Sequence, residues 1–164
     1  MTIILKNKDT LEFEDFSFKC SIGKKGLTSN KIEGDKKTPK GIFKLDRLYY
    51  RNDKFKKPTT KLSCVPIKKS MGWCNDLNNK KKYNKLITIH KGISCEKMFR
   101  TDTKYDFVLP IKYNYGKIKI GKGSAIFIHI TKNYNPTAGC IAIKLEDFLI
   151  LIKLLNRNTK IKIN

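Results

Sequence analysis

The chain has 164 residues, of which 40% are hydrophobic, and a formal net charge of +22. This length and apolar fraction predict a single globular domain over residues 1–164 and exclude a disordered chain. The charge has two explanations: a surface that attracts polyanions, or a lysine-rich composition without a specific role. Because no signature of a nucleic-acid-binding module accompanies it, we expect no specific nucleic-acid partner.

The N-terminal stretch MTIILKNKDTLEFEDF begins with an apolar tripeptide. It lacks the seven-residue apolar core and the small-residue cleavage site of a signal peptide, so none is predicted. No apolar run approaches 18 residues, and we therefore expect no transmembrane segment.

The first half of the chain is predicted to be extended structure joined by loops. FEDFSFKCSIG alternates apolar and polar residues, which is typical of a half-buried strand. A long loop rich in Gly, Asn and Pro follows up to Gly41. The segment IFKLDRLYY is predicted to be extended again, and residues 51–83 to be loops around one short strand.

The second half contains the one clear helical pattern. LEDFLILIKLLN has apolar residues at a 3.6-residue period, with Glu146 and Asp147 near the positive N-terminal end. SCEKMFR predicts a helical turn that starts near Ser94. YDFVLPIKYN, SAIFIHI and TKIKIN predict strands, the second of them central because it is almost wholly apolar. The predicted fold class is mainly β, a sandwich or barrel with a C-terminal helix packed on it.

The five cysteines do not predict a dense disulfide framework. Their number is odd, and no pair has the spacing of a zinc site. Four of them are predicted to be small buried side chains or unreactive thiols: Cys20, Cys64, Cys74 and Cys95. Cys140 differs because of its neighbours.

The segment FIHITKNYNPTAGCIAI places His129 eleven positions before Cys140. A strand, a loop and a returning strand of this length can bring an imidazole and a thiol together, and Gly139 allows a tight turn. An imidazole beside a thiol can assist nucleophilic acyl transfer. Spacing alone leaves open a core histidine and a packed cysteine without catalytic function. The other histidine, His90, fits a surface residue at a strand end.

Three segments in this order, GDKKTPKGIF, GKGSAIFIH and PTAGCIAI, resemble the L,D-transpeptidase (YkuD-like) family of peptidoglycan enzymes. The resemblance is closest to compact, single-domain members and extends from about Gly23 to the C-terminus. It includes the blocks YYRND, GWCND, YNK and YDF. The ordered set is far more specific than any one motif.

The resemblance implies roles for four residues of the His–Cys segment. Cys140 would be the nucleophile and His129 the base, with the imidazole oriented by the backbone carbonyl of Ile130. The backbone N–H groups of Gly139 and Cys140 would form the oxyanion hole. Substrate-binding residues are expected among Thr137, Ser124, Arg51, Trp73, Tyr105 and Asp106. For the last four, structural roles stay open, such as a core position for Trp73 or an ion pair of Arg51 with Asp53 or Asp106.

The sequence departs from the wider family at two positions near the nucleophile. Ala138 stands where a second histidine is usual, and Ala142 where an arginine often helps to hold the substrate. The loop between His129 and Thr137 is also shorter. These changes leave the nucleophile and base in place and alter positions at which the wider family contacts its substrate.

The resemblance implies a monomeric cysteine acyltransferase that acts on peptidoglycan stem peptides without a metal or organic cofactor. A thioester on Cys140 would pass to an amine, giving a cross-link of the 3-3 or 1-3 type. Alternatives are an L,D-carboxypeptidase or amidase on the same stem peptides, and a non-enzymatic basic module that binds polyanions. The implied substrate places the protein in the periplasm or cell envelope, whereas the absence of a signal peptide leaves a cytoplasmic location open.

Overall fold

The computed structural model describes residues 1–164 and contains fifteen strands and one helix. The strands are β1 (Thr2–Lys6), β2 (Thr10–Phe13), β3 (Phe16–Ser21), β4 (Leu27–Thr28), β5 (Thr38–Pro39), β6 (Gly41–Lys44), β7 (Leu48–Tyr50), β8 (Cys64–Pro66), β9 (Met71–Cys74), β10 (Leu86–Thr88), β11 (Cys95–Lys97), β12 (Phe107–Pro110), β13 (Phe127–Ile130), β14 (Ile141–Ile143) and β15 (Lys160–Ile163). The helix is α1 (Leu145–Leu154).

Ten strands form one curled sheet in the order β6-β15-β1-β2-β3-β14-β13-β12-β7-β8. Two smaller sheets flank it, with the orders β10-β9-β11 and β4-β5. Strands account for 35% of the residues and the helix for 6%, which confirms the predicted fold class.

The centre of the large sheet is the parallel pair β13 and β14, in which His129 lies opposite Ala142. All residues of both strands are buried. Because side chains alternate between the two faces of a strand, Ile128 and Ile130 enter the larger core beside the helix, whereas Phe127 enters a smaller core with Cys140. One face of β13 therefore stabilises the fold, and the other carries His129.

Helix α1 confirms the predicted amphipathic pattern. Phe148, Leu151 and Ile152 are buried against the sheet, and the helix contacts β13. Glu146 and Asp147 lie in the first turn, where the helix dipole favours negative charge. Packing against β13 holds the central strand from the side opposite His129.

The prediction of a helical turn near Ser94 is wrong. Residues Cys95–Lys97 form β11, which pairs antiparallel with β9. Glu96 and Lys97 suit a helix locally, but pairing with β9 satisfies the backbone of this short segment instead. Residues 51–83 also hold two short strands, β8 and β9, where one was predicted.

The N-terminal residues form a hairpin for which the sequence pattern gave no prediction. Strand β1 pairs with β2 and also with the C-terminal strand β15, so the two ends of the chain lie side by side. Ile3, Leu5 and Leu11 are buried in the larger core. Helix α1, the one helix of the structure, is too short to span a membrane.

Candidate active site

His129 lies at the third position of β13 with only 3% of its surface exposed. Its Nδ1 atom is 2.9 Å from the carbonyl oxygen of Ile130. Because a carbonyl can only accept, this contact places the proton on Nδ1 and leaves the Nε2 lone pair free. The ring of Tyr105 packs edge-on against the imidazole, with centroids 5.5 Å apart. The arrangement is that of a neutral base held in one tautomer.

Cys140 lies immediately before β14, beside the start of β13. Its Sγ donates a hydrogen bond to the carbonyl of Ala125 at 3.2 Å and accepts one from Phe127 N–H at 3.4 Å. Two backbone groups thus hold the thiol: the carbonyl of Ala125, which precedes β13, and the N–H of Phe127, the first residue of β13. All five cysteines of the chain are free thiols.

The turn that presents Cys140 requires a glycine before it. Gly139 has φ +142°, and a Cβ atom there would lie 2.9 Å from the carbonyl oxygen of Lys37. Thr38 Oγ1 donates to the Gly139 carbonyl at 2.8 Å and is fully buried. The segment TPKG (residues 38–41) therefore supports the turn through the Thr38 side chain, as a scaffold close to the site.

Thr137 closes the same turn on the other side. Its hydroxyl donates to the carbonyl of Cys140 at 2.6 Å and accepts from Gly139 N–H at 3.0 Å. The Gly139 amide is therefore already engaged in this structure, contrary to the expectation that it would be available to an oxyanion. The backbone N–H of Cys140 makes no hydrogen bond within the chain, so it is a free donor at the turn.

Burial sets the protonation states of the two central residues. It raises the pKa of Cys140 to about 12, against the opposing effect of the hydrogen bond from Phe127. Burial also lowers the pKa of His129 to about 4, despite the contact with Ile130 that raises it. At neutral pH the resting pair is consequently a thiol and a neutral imidazole, and not a thiolate and an imidazolium.

Cys140 and His129 line one cavity of about 240 Å³. Three of the predicted substrate-binding residues also line it, namely Thr137, Ser124 and Tyr105. The cavity wall carries charge of both signs from Lys31, Glu33, Glu96 and Lys104. A cavity of this kind suits a polar peptide with charged groups.

A second cavity of about 210 Å³ is lined by His129 but not by Cys140. It shares Lys104 and Thr137 with the first cavity and is otherwise lined mainly by residues 130–136. Two cavities therefore meet at the imidazole. Ala142 lies in the wall of the second cavity and Ala138 in that of the first, so both positions at which the sequence departs from the wider family line a cavity at His129.

The other three predicted substrate-binding residues line neither cavity, and we assign them structural roles. Arg51 binds Asp53 through two hydrogen bonds of 2.6 and 2.7 Å, and its guanidinium lies 3.6 Å from the ring centre of Phe99. Asp106 pairs with Lys54 at 2.7 Å.

Trp73 belongs to the smaller core, where its ring packs against Phe127. Its Nε1–H donates to the side chain of Asn84 at 2.9 Å. Each of these three side chains therefore already has a partner in the folded chain.

Sequence reasoning did not select the charged residues of the first cavity. Tyr105 donates to Glu96 at 3.1 Å, and Ser124 donates to Glu33 at 2.7 Å, so two predicted residues hold carboxylates at the cavity wall. Tyr83 also donates to Glu33. Tyr83 lies within the YNK block, so this block, like the predicted residues Tyr105 and Ser124, is a sequence signal that leads to these carboxylates. No group of three or more His, Cys, Asp or Glu side chains is arranged to hold a metal ion.

Comparison with known proteins gives one family. The family model for YkuD, the L,D-transpeptidase catalytic domain, matches residues 1–163. No curated protein and no solved structure matches the chain. The match covers nearly the whole sequence, including His129 and Cys140, and it agrees with the mostly β fold. The chain belongs to the L,D-transpeptidase (YkuD) catalytic-domain family, a family of enzymes that implies a peptidoglycan substrate.

Proposed function

We propose that this protein forms peptidoglycan cross-links by acyl transfer through a thioester on Cys140. The observation that carries the proposal is the common cavity of a thiol and an imidazole whose Nε2 is free. Both side chains line this cavity because β13 and β14 pair in parallel, with His129 opposite Ala142 and Cys140 directly before β14. A nucleophile and base in one cavity provide the parts that acyl transfer needs.

In the first half-reaction, Cys140 Sγ attacks the carbonyl of an L-centre residue in a stem peptide, the diamino acid at the third position. The thiol proton passes to Nε2 of His129 as the C–S bond forms, because a resting thiolate is disfavoured by burial. The Cys140 N–H faces the developing oxyanion, a contribution of about 3 kcal/mol per donor in studied enzymes. His129 then protonates the departing amine of the D-amino acid, and a thioester remains.

In the second half-reaction, an acceptor amine gives its proton to His129 and attacks the thioester, which releases the Cys140 thiol. The second cavity supports this step because it reaches the imidazole without contacting the nucleophile. An acceptor could thus approach the base while the acyl group occupies the first cavity. Water in the same position would give L,D-carboxypeptidase activity instead.

The product mixture tests the proposal directly. Purified protein is incubated with a tetrapeptide donor stem and a second, isotopically labelled stem as acceptor. We expect a product whose mass is the sum of donor and acceptor less the released D-amino acid, with an amide on the acceptor amine. Release of the D-amino acid without cross-linked product would support the carboxypeptidase, and no change in either stem would contradict both enzymatic functions.

Lys104 is our candidate for binding a substrate carboxylate. The resemblance led us to expect an arginine two positions after the cysteine, but Ala142 is there. Lys104 is exposed, lines both cavities and makes no ion pair within the chain. Its ammonium can therefore replace the missing guanidinium, although without a bidentate geometry.

We expect Lys104→Ala to raise KM for the donor stem about tenfold while kcat changes little, because one charged hydrogen bond is lost. Steady-state kinetics with the donor stem measure this split. Lys162→Ala is the matched control, since it removes the same charge from an exposed position on β15. Equal effects of the two substitutions would show that only net charge matters.

The proposed substrate also suggests where the protein acts and in what form. We propose a single catalytic domain that functions as a monomer in the periplasm or cell envelope, where peptidoglycan is found. Cell fractionation with detection of the untagged protein tests the location. Recovery only in the cytoplasm would restrict the substrate to precursors or recycled fragments.

A further inference from the structure

We propose that Asn84 is a positioning residue for the nucleophile, acting through the backbone of Ala125. The inference rests on the proposed role of Cys140 and adds to it a residue that does not line either cavity. Asn84 would fix the Ala125 carbonyl, and this carbonyl would in turn fix the direction of the Cys140 thiol.

The first observation is that Asn84 uses its whole hydrogen-bonding capacity inside the protein. Its side chain is buried, and its Oδ1 accepts from Trp73 Nε1–H at 2.9 Å and from Ala125 N–H at 3.1 Å. Its Nδ2 donates to the carbonyls of Tyr113 and Asn114 at 3.0 and 2.9 Å. A primary amide has two donors and one oxygen with two lone pairs, so all four positions are filled. Only an amide of this size and orientation satisfies these partners together.

The second observation is the backbone of Ala125. Its φ of +51° lies in the left-handed region, which alanine seldom adopts. A residue in this conformation needs contacts that hold it there, and residues so held are concentrated at functional sites. Asn84 binds its N–H, and the Cys140 thiol donates to its carbonyl at 3.2 Å. One residue in an unusual conformation thus joins the amide of Asn84 to the nucleophile.

The third observation is how little else holds the thiol. Besides Ala125, the only hydrogen bond to Sγ is from Phe127 N–H at 3.4 Å. If the Ala125 peptide turns, the thiol loses its acceptor and gains rotational freedom about χ1. Attack on a carbonyl requires a defined approach, and a displacement of 1 Å can cost about 10²-fold in rate. The effect of losing Asn84 should therefore fall on the chemical step and not on substrate binding.

The test measures acylation of Cys140 by a carbapenem, with the maximal acylation rate and the half-saturating concentration obtained separately. For Asn84→Ala we expect the maximal rate to fall about 10- to 100-fold, while the half-saturating concentration changes less than about threefold, as a positioning role requires. Thr159→Ala is the control, because it removes another buried polar contact, to Asn156, far from both cavities. It should lower thermal stability without changing acylation.

Ala125→Gly provides a second variant in case Asn84→Ala does not fold. Glycine accepts the left-handed conformation but holds it less firmly, so the maximal acylation rate should fall while the protein stays folded. If Asn84 acts through Ala125, the double variant should lose less than the product of the two single effects. A folded Asn84→Ala variant that acylates like the wild type would overturn the inference, as would independent effects in the double variant. Failure of the wild type to acylate would instead count against the proposed function.

Discussion

Replacing Cys140 with alanine is expected to abolish the covalent adduct and both stem-peptide activities. The side chain is the proposed nucleophile, and removing the nucleophile of an acyl-transfer enzyme lowers kcat by a factor on the order of 10⁴ to 10⁶. Intact-protein mass spectrometry after incubation with a carbapenem, whose strained β-lactam amide can acylate a nucleophilic thiol, reports the adduct. Cys140 is 8% exposed and small, so alanine should preserve the fold.

Cys95→Ala is the matched control for this experiment. Cys95 is partly exposed on β11 and lines neither of the two cavities, so its removal should leave one adduct per protein and normal products. An adduct on the Cys140→Ala variant, or no adduct on the wild type together with unchanged stem peptides, would contradict the catalytic function. The non-enzymatic binding module would then become the better explanation.

Replacing His129 with glutamine is expected to lower the acylation rate at pH 7 by about 10³- to 10⁴-fold. The buried thiol, whose pKa is raised to about 12, depends on a base to accept its proton during attack. Glutamine keeps a similar volume but cannot take a proton. His90→Gln is the control, because His90 is the other histidine of the chain and is exposed outside the cavities.

The pH dependence distinguishes a base from a merely structural histidine. In the wild type, the imidazole with its pKa lowered to about 4 stays neutral at higher pH, so the acylation rate should be nearly flat from pH 6 to 9. It should fall only as the pH drops towards 4, when protonation removes the base. In His129→Gln the rate should rise about tenfold per pH unit, because it follows the thiolate fraction. A wild-type rate that halves near pH 6.5 would contradict the buried neutral imidazole.

The secondary structure could be predicted where one element shows a clear period of its own. Helix α1 has a 3.6-residue apolar pattern and acidic residues in its first turn, so its position followed from local sequence. The strand around His129 followed from its continuous apolar run. Strand β11 could not be predicted, because three residues hold too little pattern and its partner β9 decides its conformation.

The candidate site likewise contains residues that the sequence pointed to and residues that only the folded chain brings there. His129 and Cys140 were selected as candidates from the sequence, because the motifs around them resemble those of the family. Arg51, Trp73 and Asp106 lie in family-like blocks but bind structural partners, which only the folded chain reveals. Glu33, Glu96 and Lys104 reach the cavity from separate segments without a pattern of their own.

The sequence by itself determined the family to which the chain belongs and singled out a candidate histidine–cysteine pair, because both depend on residue identity and order. The tertiary structure decided the protonation states of His129 and Cys140, the contacts that hold the Cys140 turn, and the cavities that reach the pair. All three depend on contacts between residues that are distant in the sequence. Thr38 supports Gly139 across 101 positions, and Asn84 binds Ala125 across 41. Burial by such contacts keeps the thiol and the imidazole neutral, and this burial cannot be predicted from a local sequence pattern.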